Sequence, residues 1–501
     1  MRLRLFALAA CAALVGNTAA AQTTLRIGIN EDPDALDPVA NRLASGRQPL
    51  TAICDKLFDV STDLELVPQL AKGYEIAPDG MSVTVNLRPD VMFHDGEPLN
   101  AEAVQFTIDR NMNTPGSLRR SELAAVDHVE VVDPLTVRIV LDQPQGYLLM
   151  VNLAERSGMI VSPKSASELG DRFGTQPVCA GPYRFVERVP QGRIVVERFA
   201  DYWDKSLTGV DRIEYLPITD STVRLSSLQS GELHIAERLT PTDVPQLEGD
   251  SNVQVVSTPD LGYHFIRYNI SNGPASEALG NDVRLRRAID LSIDRQVMMQ
   301  ALFNDQYTAG NQFVNPSSPY YDTGHPVPKR DVEAARALLQ EAGQPDLTFT
   351  VLVPAERERQ EAAQMIQAML AESGITMNIE TQDNATMLQN ARRGEFQAVF
   401  SFWSGRAHPD GNVFAHYSCD GPQNDSRYCN PELDKILVQA REAVDESERQ
   451  TLYQQANALL AEDLPTSILW HRRTFTGVST RVEGFVPHPD STIRVRGLHL
   501  E

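Results

Sequence analysis

Ten residues late in the chain, Trp403-Ser404-Gly405-Arg406-Ala407-His408-Pro409-Asp410-Gly411-Asn412, set an aromatic plate, a guanidinium, an imidazole and a carboxylate beside two glycines. These types suit holding a small polar molecule. Trp403 can stack on a solute while Arg406 and Asp410 exchange charge-assisted hydrogen bonds with it. The competing reading is a solvated loop whose Trp403 packs on the core. Patterns for bond-making chemistry are missing elsewhere. Gly80-Met81-Ser82-Val83-Thr84 lacks the second glycine of a nucleophile elbow, and neither His-Glu-x-x-His nor Gly-x-x-x-x-Gly-Lys occurs. A hydrolase with a dispersed acid/base pair is the remaining enzymatic alternative. None of the ten histidines pairs at i, i+4 spacing and there is no Cys-x-x-Cys, so His408 and His416 read as polar contacts and no metal or other cofactor is expected.

Such a loop needs a strand to end where it begins, and Phe396 to Phe402 reads as that strand. In open α/β sheets ligands bind beyond the carboxyl ends of strands, where helix starts and unpaired backbone groups converge. Upstream lie a strand (Leu347 to Val353), a helix (Glu356 to Ser373) stopped by Gly374, a strand (Ile375 to Thr381) and a helix (Ala385 to Arg393) stopped by Gly394, a βαβαβ unit. Asp331 can cap a helix ending at Gly343. Leu285, Ile289, Ile293 and Val297 recur every four residues and predict one core-facing helix. Pro431 to Ala443 and Glu446 to Ala461, the latter capped by Asp445, are two more. The first half reads differently. Thr23 to Asn30 is an alternating strand; hairpins turn at Asp79-Gly80, Asp133-Pro134 and Pro190-Gln191-Gly192 around a helix from Ala101 to Asn113.

Residues 1–21 read as a signal peptide: Arg2 and Arg4, an apolar stretch from Leu3 to Val15, and a small-residue cleavage site at Ala19-Ala20-Ala21. Leu8-Ala9-Ala10-Cys11 also resembles a lipoprotein box, which leaves lipid anchoring as an alternative. The formal charge of −22 becomes −24 once Arg2 and Arg4 are removed, which repels nucleic-acid backbones and anionic membrane surfaces. About 480 mature residues exceed one hydrophobic core and predict two or three domains. With Cys11 gone four cysteines remain. Cys419 and Cys429 close a polar loop and are expected to bridge, leaving Cys54 and Cys179 to pair by elimination or to stay as buried thiols.

The run from Ala77 to Asn100, APDGMSVTVNLRPDVMFHDGEPLN, closely resembles the signature of the dipeptide-, oligopeptide- and nickel-binding family of bacterial solute receptors. Gly181 to Phe185, Gly231-Glu232-Leu233, Val283 to Arg295 and Trp403 to Asn412 follow in the family's order, and the loop is similar to a subgroup with Trp-Ser-Gly-Arg. The resemblance spans essentially the whole mature chain. It implies an α/β, two-lobed periplasmic binding protein of the Venus-flytrap type. One lobe would comprise 22–46, 166–260 and 477–501, with an extra subdomain at 47–165, and the second lobe 261–476. It further implies a monomeric, non-catalytic receptor for a small peptide-like solute, partnered by a membrane permease with its ATPases.

The resemblance also nominates residues outside the loop. Glu237 and Arg238 lie in a segment that enters the family's cleft. Asn41 and Arg42 stand where its first lobe approaches ligand. Tyr263 and His264 sit at the crossing between lobes and can face the solute, whereas Arg267 reads as a strand-surface residue. In peptide-binding relatives the third residue after the matching tryptophan is an aspartate that pairs with the peptide amine; here it is Arg406. A guanidinium fork prefers carboxylate or phosphate, so an anionic solute is expected: an acidic or modified peptide of the glutathione type, an opine, or a sugar-phosphate conjugate. The alternatives are an ordinary peptide held through Asp410 and a metal or haem receptor.

Overall fold

The computed structural model describes residues 22–501 except Val444 and the side chain of Ala385. The expected leader, with Cys11, lies outside the described residues. Two strands organise the rest. Val253–Tyr268 has 16 residues and Thr466–Ser479 has 14, so the longer spans about 50 Å. They pair antiparallel from Val253 opposite Ser479 to Arg267 opposite Thr466, and the register slips between Pro259 and Tyr263 and again between His264 and Phe265. Such irregularities locally bend and twist a strand pair.

Each end of this pair carries a different half of one sheet. At one end Tyr263–Tyr268 pairs with Ala398–Trp403, which continues through the parallel strands Thr348–Pro354 and Thr376–Gln382. That is the βαβαβ unit expected from the sequence, closed by Arg357–Ala371 and Asn384–Arg392, with Gly374 and Gly394 at positive φ where the helices stop. At the other end Gly477 and Val478 pair with Ile235–Ala236, and the sheet runs on through Thr24–Ile29, Arg212–Pro217, Arg193–Arg198 and Tyr183–Val189. A separate four-stranded antiparallel sheet, ordered 71–76, 82–87, 136–141 and 126–133, packs on the helix Ala101–Asn113. Val83, Val85 and Leu87 alternate inward from the second of these strands, and none is exposed. The apolar core accordingly falls into distinct clusters: one under the four-stranded sheet, one around Thr24–Ile29, and two on opposite sides of the βαβαβ half.

Two sequence expectations fail here for identifiable reasons. The Leu285–Val297 stripe is not one helix. Asp294 accepts a hydrogen bond from the Val297 N–H at 3.0 Å and starts a new helix, Arg295–Phe303, after Val283–Ser292 ends at an extended Ile293. Val297 is left 43% exposed, because a capping carboxylate outbids helical periodicity at that point. Arg267 is not on the surface either. Its Nη1 donates to the Gln423 carbonyl at 3.1 Å and its Nη2 lies 3.1 Å from His416 Nδ1.

Both disulfides form, Cys54–Cys179 and Cys419–Cys429. They close loops of 125 and 10 residues, worth about 5 and about 2.7 kcal/mol of denatured-state entropy respectively. Urea denaturation of the Cys54→Ser/Cys179→Ser and Cys419→Ser/Cys429→Ser proteins is expected to show the larger loss for the long loop; equal losses would contradict the loop-entropy account.

Candidate functional site

Asn412 organises the turn after Ala398–Trp403. Its Oδ1 accepts from Trp403 Nε1 at 2.9 Å and from the Arg406 backbone N–H at 2.7 Å, while its Nδ2 donates to the Arg406 carbonyl at 3.0 Å. The Arg406 guanidinium therefore folds over the indole, 4.8 Å from its centroid, and Nη1 donates to the Gly405 carbonyl at 2.6 Å. The two glycines are needed for this. Gly405 has a φ of +72° and a Cβ there would fall 2.2 Å from the Leu261 carbonyl; on Gly411 it would fall 2.6 Å from Arg406 Cγ.

The loop faces a cavity of about 300 Å³ whose far wall is formed by residues between Val60 and Glu155, at the small end of ligand-site volumes. Trp403, Arg406, His408 and Asp410 line one wall, Glu122 and Glu155 the other. Behind those carboxylates stand three arginines, Arg47, Arg119 and Arg156, exposed by only 6%, 4% and 4%. Arg119 Nη1 meets Glu122 Oε1 at 2.6 Å and Arg47 Nη1 meets Glu155 Oε2 at 3.4 Å. Asn41 holds the other two groups, accepting from Arg156 Nη1 at Oδ1 (2.9 Å) and from Arg119 Nη2 at its carbonyl (3.3 Å). Gly46 makes room for it, since a Cβ there would lie 1.9 Å from Asn41 Nδ2. The Nε atoms of Arg47, Arg119 and Arg156 are buried without a partner.

Four guanidiniums thus gather around two carboxylates. The neighbouring Lys56 and Arg494 pair with Asp59 and Asp490 and add no net charge. Crowding shows in the titration. Burial first, then Arg119, Arg47 and Arg406, push Arg156 down to about 9. Burial acts to raise Glu155, yet Arg47, Arg406 and Arg156 hold it below the usual carboxylate range.

The nominated residues divide. Trp403, Arg406, His408 and Asp410 share the cavity, and Asn41 supports its cationic wall. Asp410 spends both oxygens on Arg441, at 2.8 and 3.1 Å. His408 reaches across the lobes, its ring 5.6 Å from that of Tyr147, over which Arg449 lies at 3.9 Å. Arg42 is exposed, and its backbone N–H donates to Asp34 at 2.8 Å. Tyr263 is buried, its hydroxyl donating to the Asn412 carbonyl at 3.2 Å. Glu237 receives the Asn30 N–H at 2.8 Å and Gln48 Nε2 at 2.6 Å. His264 stacks on Trp470 with centroids 4.6 Å apart. Arg238, at a φ of +50°, lies near Glu31 and Tyr307 and does not line the Arg406 cavity. Arg47, Arg119, Glu122, Glu155 and Arg156 were not nominated; Arg119-Arg120 and Glu155-Arg156 are charge pairs in the sequence, but no spacing links them. Among the described residues no three His, Cys, Asp or Glu side chains are placed to hold a metal ion, and no helix is long and apolar enough to cross a membrane.

The model of bacterial extracellular solute-binding proteins, family 5, matches residues 65–425. This chain belongs to that family. The glutathione-binding protein GsiB of Pectobacterium atrosepticum is 30% identical over 96% of the chain and 95% of its own length. Solved structures agree on a two-lobed fold. The dipeptide-binding protein of Pseudoalteromonas sp. SM9913 in complex with Met-Leu superposes with a TM-score of 0.84 at 21% identity, over 95% of this chain and 100% of its own. The PBP AgaA from A. tumefaciens R10, in complex with agropinic acid, gives 0.82 at 25% identity over 95% and 99%. As a family 5 protein the chain is the substrate-binding component of an ABC importer and delivers a peptide-like ligand to permease and ATPase subunits.

The histidines of this family 5 chain carry a pH signature. Burial, the largest cause in each, depresses His94, His234 and His471 to about 4 and His408 to about 3, and holds His264 and His416 well below their ordinary value. A group depressed on folding contributes stability that is present above its unfolded value, about 6.5, and is lost as pH falls toward the folded one. Unfolding at pH 5 is expected to take up on the order of six protons, read as the slope of urea-derived stability against pH. A flat profile between pH 7 and 5 would contradict it.

Proposed function

We propose that the chain is an exported, periplasmic and non-catalytic receptor that captures a small peptide-like solute bearing a carboxylate or phosphate, and that Arg406 meets that anion. The excess of guanidiniums over carboxylates between the lobes carries this reading. Arg406 faces Glu155 and Glu122 as well as Arg47 and Arg119, and it adds to the crowding on Arg156; two carboxylates offset only part of the repulsion among four like charges. An anion between them reverses the sign. It supplies differential affinity for the closed form, of which about 5.5 kcal/mol moves a mostly open population to a mostly closed one. The register slips at Pro259–Tyr263 make the crossing strands the natural hinge, between lobes drawn as 22–260 with 477–501, and 261–476.

The relatives' ligands lean the same way, since glutathione and agropinic acid are both carboxylic acids. An ordinary peptide held by its amine at Asp410 is the weaker reading, because Arg441 already takes both oxygens of that carboxylate. The matched proteins are solute-binding proteins and not enzymes, which supports return of the ligand unchanged.

Isothermal titration is expected to show binding of glutathione-like or opine-like acids and weak or no binding of neutral peptide amides. Arg406→Ala should weaken the acids by about 30-fold or more, as for loss of one partner from a buried charge pair. Tight binding of peptide amides, untouched by Arg406→Ala, would end this reading.

A further inference from the structure

A second cavity, of about 240 Å³, lies within residues 287–468 and shares no lining residue with the Arg406 cavity. The helix break at Asp294 creates its polar side. On one continuous helix Asp290 and Arg295 would point about 140° apart; because the chain turns at Ile293 and a new helix starts at Arg295, that guanidinium pairs with one oxygen of Asp290. Arg295 Nε also donates to the carbonyls of Gly310 at 3.1 Å and Ile468 at 3.0 Å. One buried ion pair thus ties both helices to the strand Thr466–Ser479.

The rest of the lining is preset in the same way. Gln312 Nε2 donates to the carbonyls of Asp322 and His325 at 2.7 and 2.9 Å, and Asn311 Nδ2 to those of His325 and Pro326 at 2.9 and 3.1 Å, which fixes the segment 311–326. The helix Glu446–Asp463 supplies Asn457 and Ala461. Phe313, Tyr417, Leu464 and Ile468, all buried, give the cavity apolar and aromatic sides. Its less buried charged groups are engaged: Arg287 Nη2 donates to the Glu462 carbonyl at 2.8 Å, and His325 Nδ1 meets Asp322 Oδ2.

Hydrogen-bonding capacity is left over there, and charge is not. Thr466, 8% exposed, has its Oγ1 buried beside the Tyr417 hydroxyl yet without a hydrogen-bond partner. Asn457 reaches only the Tyr320 carbonyl, at 3.5 Å. A buried hydroxyl without a partner costs free energy until something meets it. Arg295, by contrast, already balances Asp290, so an ion entering here would be buried without a counter-ion, at far greater cost than a hydroxyl. Size and shape narrow the guest further. A cavity of about 150 Å³ accepts benzene, so this one admits a ring with a short arm. We infer that it is a second binding site, separate from the solute site, for a small uncharged aromatic alcohol, with the ring against Phe313 and Tyr417 and the hydroxyl at Thr466 and Asn457.

The test uses phenethyl alcohol, phenylacetate and phenethylammonium, which share one ring and differ at the head, each titrated into the intact mature protein by saturation-transfer NMR. The alcohol is expected to bind about tenfold or more tighter than either ion. Thr466→Val should weaken the alcohol by about tenfold, the loss of one buried hydrogen bond. Its thermal midpoint should stay level or rise, because the hydroxyl it removes had no partner, and this reports that the variant is folded. Ala461→Phe, which fills the cavity, should abolish binding, whereas Arg406→Ala should leave the alcohol's affinity unchanged. Silence from the alcohol, equal or tighter binding of either ion, or an affinity that Arg406→Ala reduces and Thr466→Val does not, would overturn the inference. None of these outcomes bears on the anionic-solute reading, which rests on the other cavity.

Discussion

Four guanidiniums held around two carboxylates, in a place that water barely reaches, cannot be a device for stability alone. Like charges in a region of reduced dielectric cost more than the same charges in water, and Arg156, pressed down to about 9, registers that cost. The fold nonetheless invests in the arrangement. Asn41 anchors two of the arginines, Gly46 clears space for Asn41, and Asn412 with two glycines bends the Trp403 loop so that the fourth faces them. In the proposed reading a guest of negative charge balances the set.

In the proposed clamp the members of this arrangement belong to different lobes. The crossing strands connect both halves of the sheet and carry register slips where they pass between them. Contacts such as Tyr147 with His408 and Arg449 join the inserted four-stranded unit to the second lobe. A ligand that touches both sides stabilises the approach of the lobes, whereas one that touches a single side has no leverage over it. In the proposed mechanism, delivery to a permease depends on a shape that a correctly charged solute brings about.

The sequence announced the second lobe well. The strands and helices from Leu347 to Phe402 alternate with glycine stops because each is a local, periodic feature, and the loop at Trp403 follows from where a strand must end. Long-range geometry was hidden. Arg47, Arg119 and Arg156 span 109 residues of sequence and meet around Asn41, Glu122 and Glu155; no period or spacing encodes that. Asp294 shows the local version of the problem, where one capping carboxylate cut a helix that the apolar stripe appeared to continue. His264 and Arg238 were visible as candidates, but neither lines the Arg406 cavity, and His264 is instead stacked on Trp470.

Small-angle X-ray scattering of the mature protein, with and without an anionic ligand whose saturation has been verified, tests the charge-driven clamp most directly. The account predicts a smaller radius of gyration with the acid bound. An identical radius in both states, at full occupancy, would contradict it.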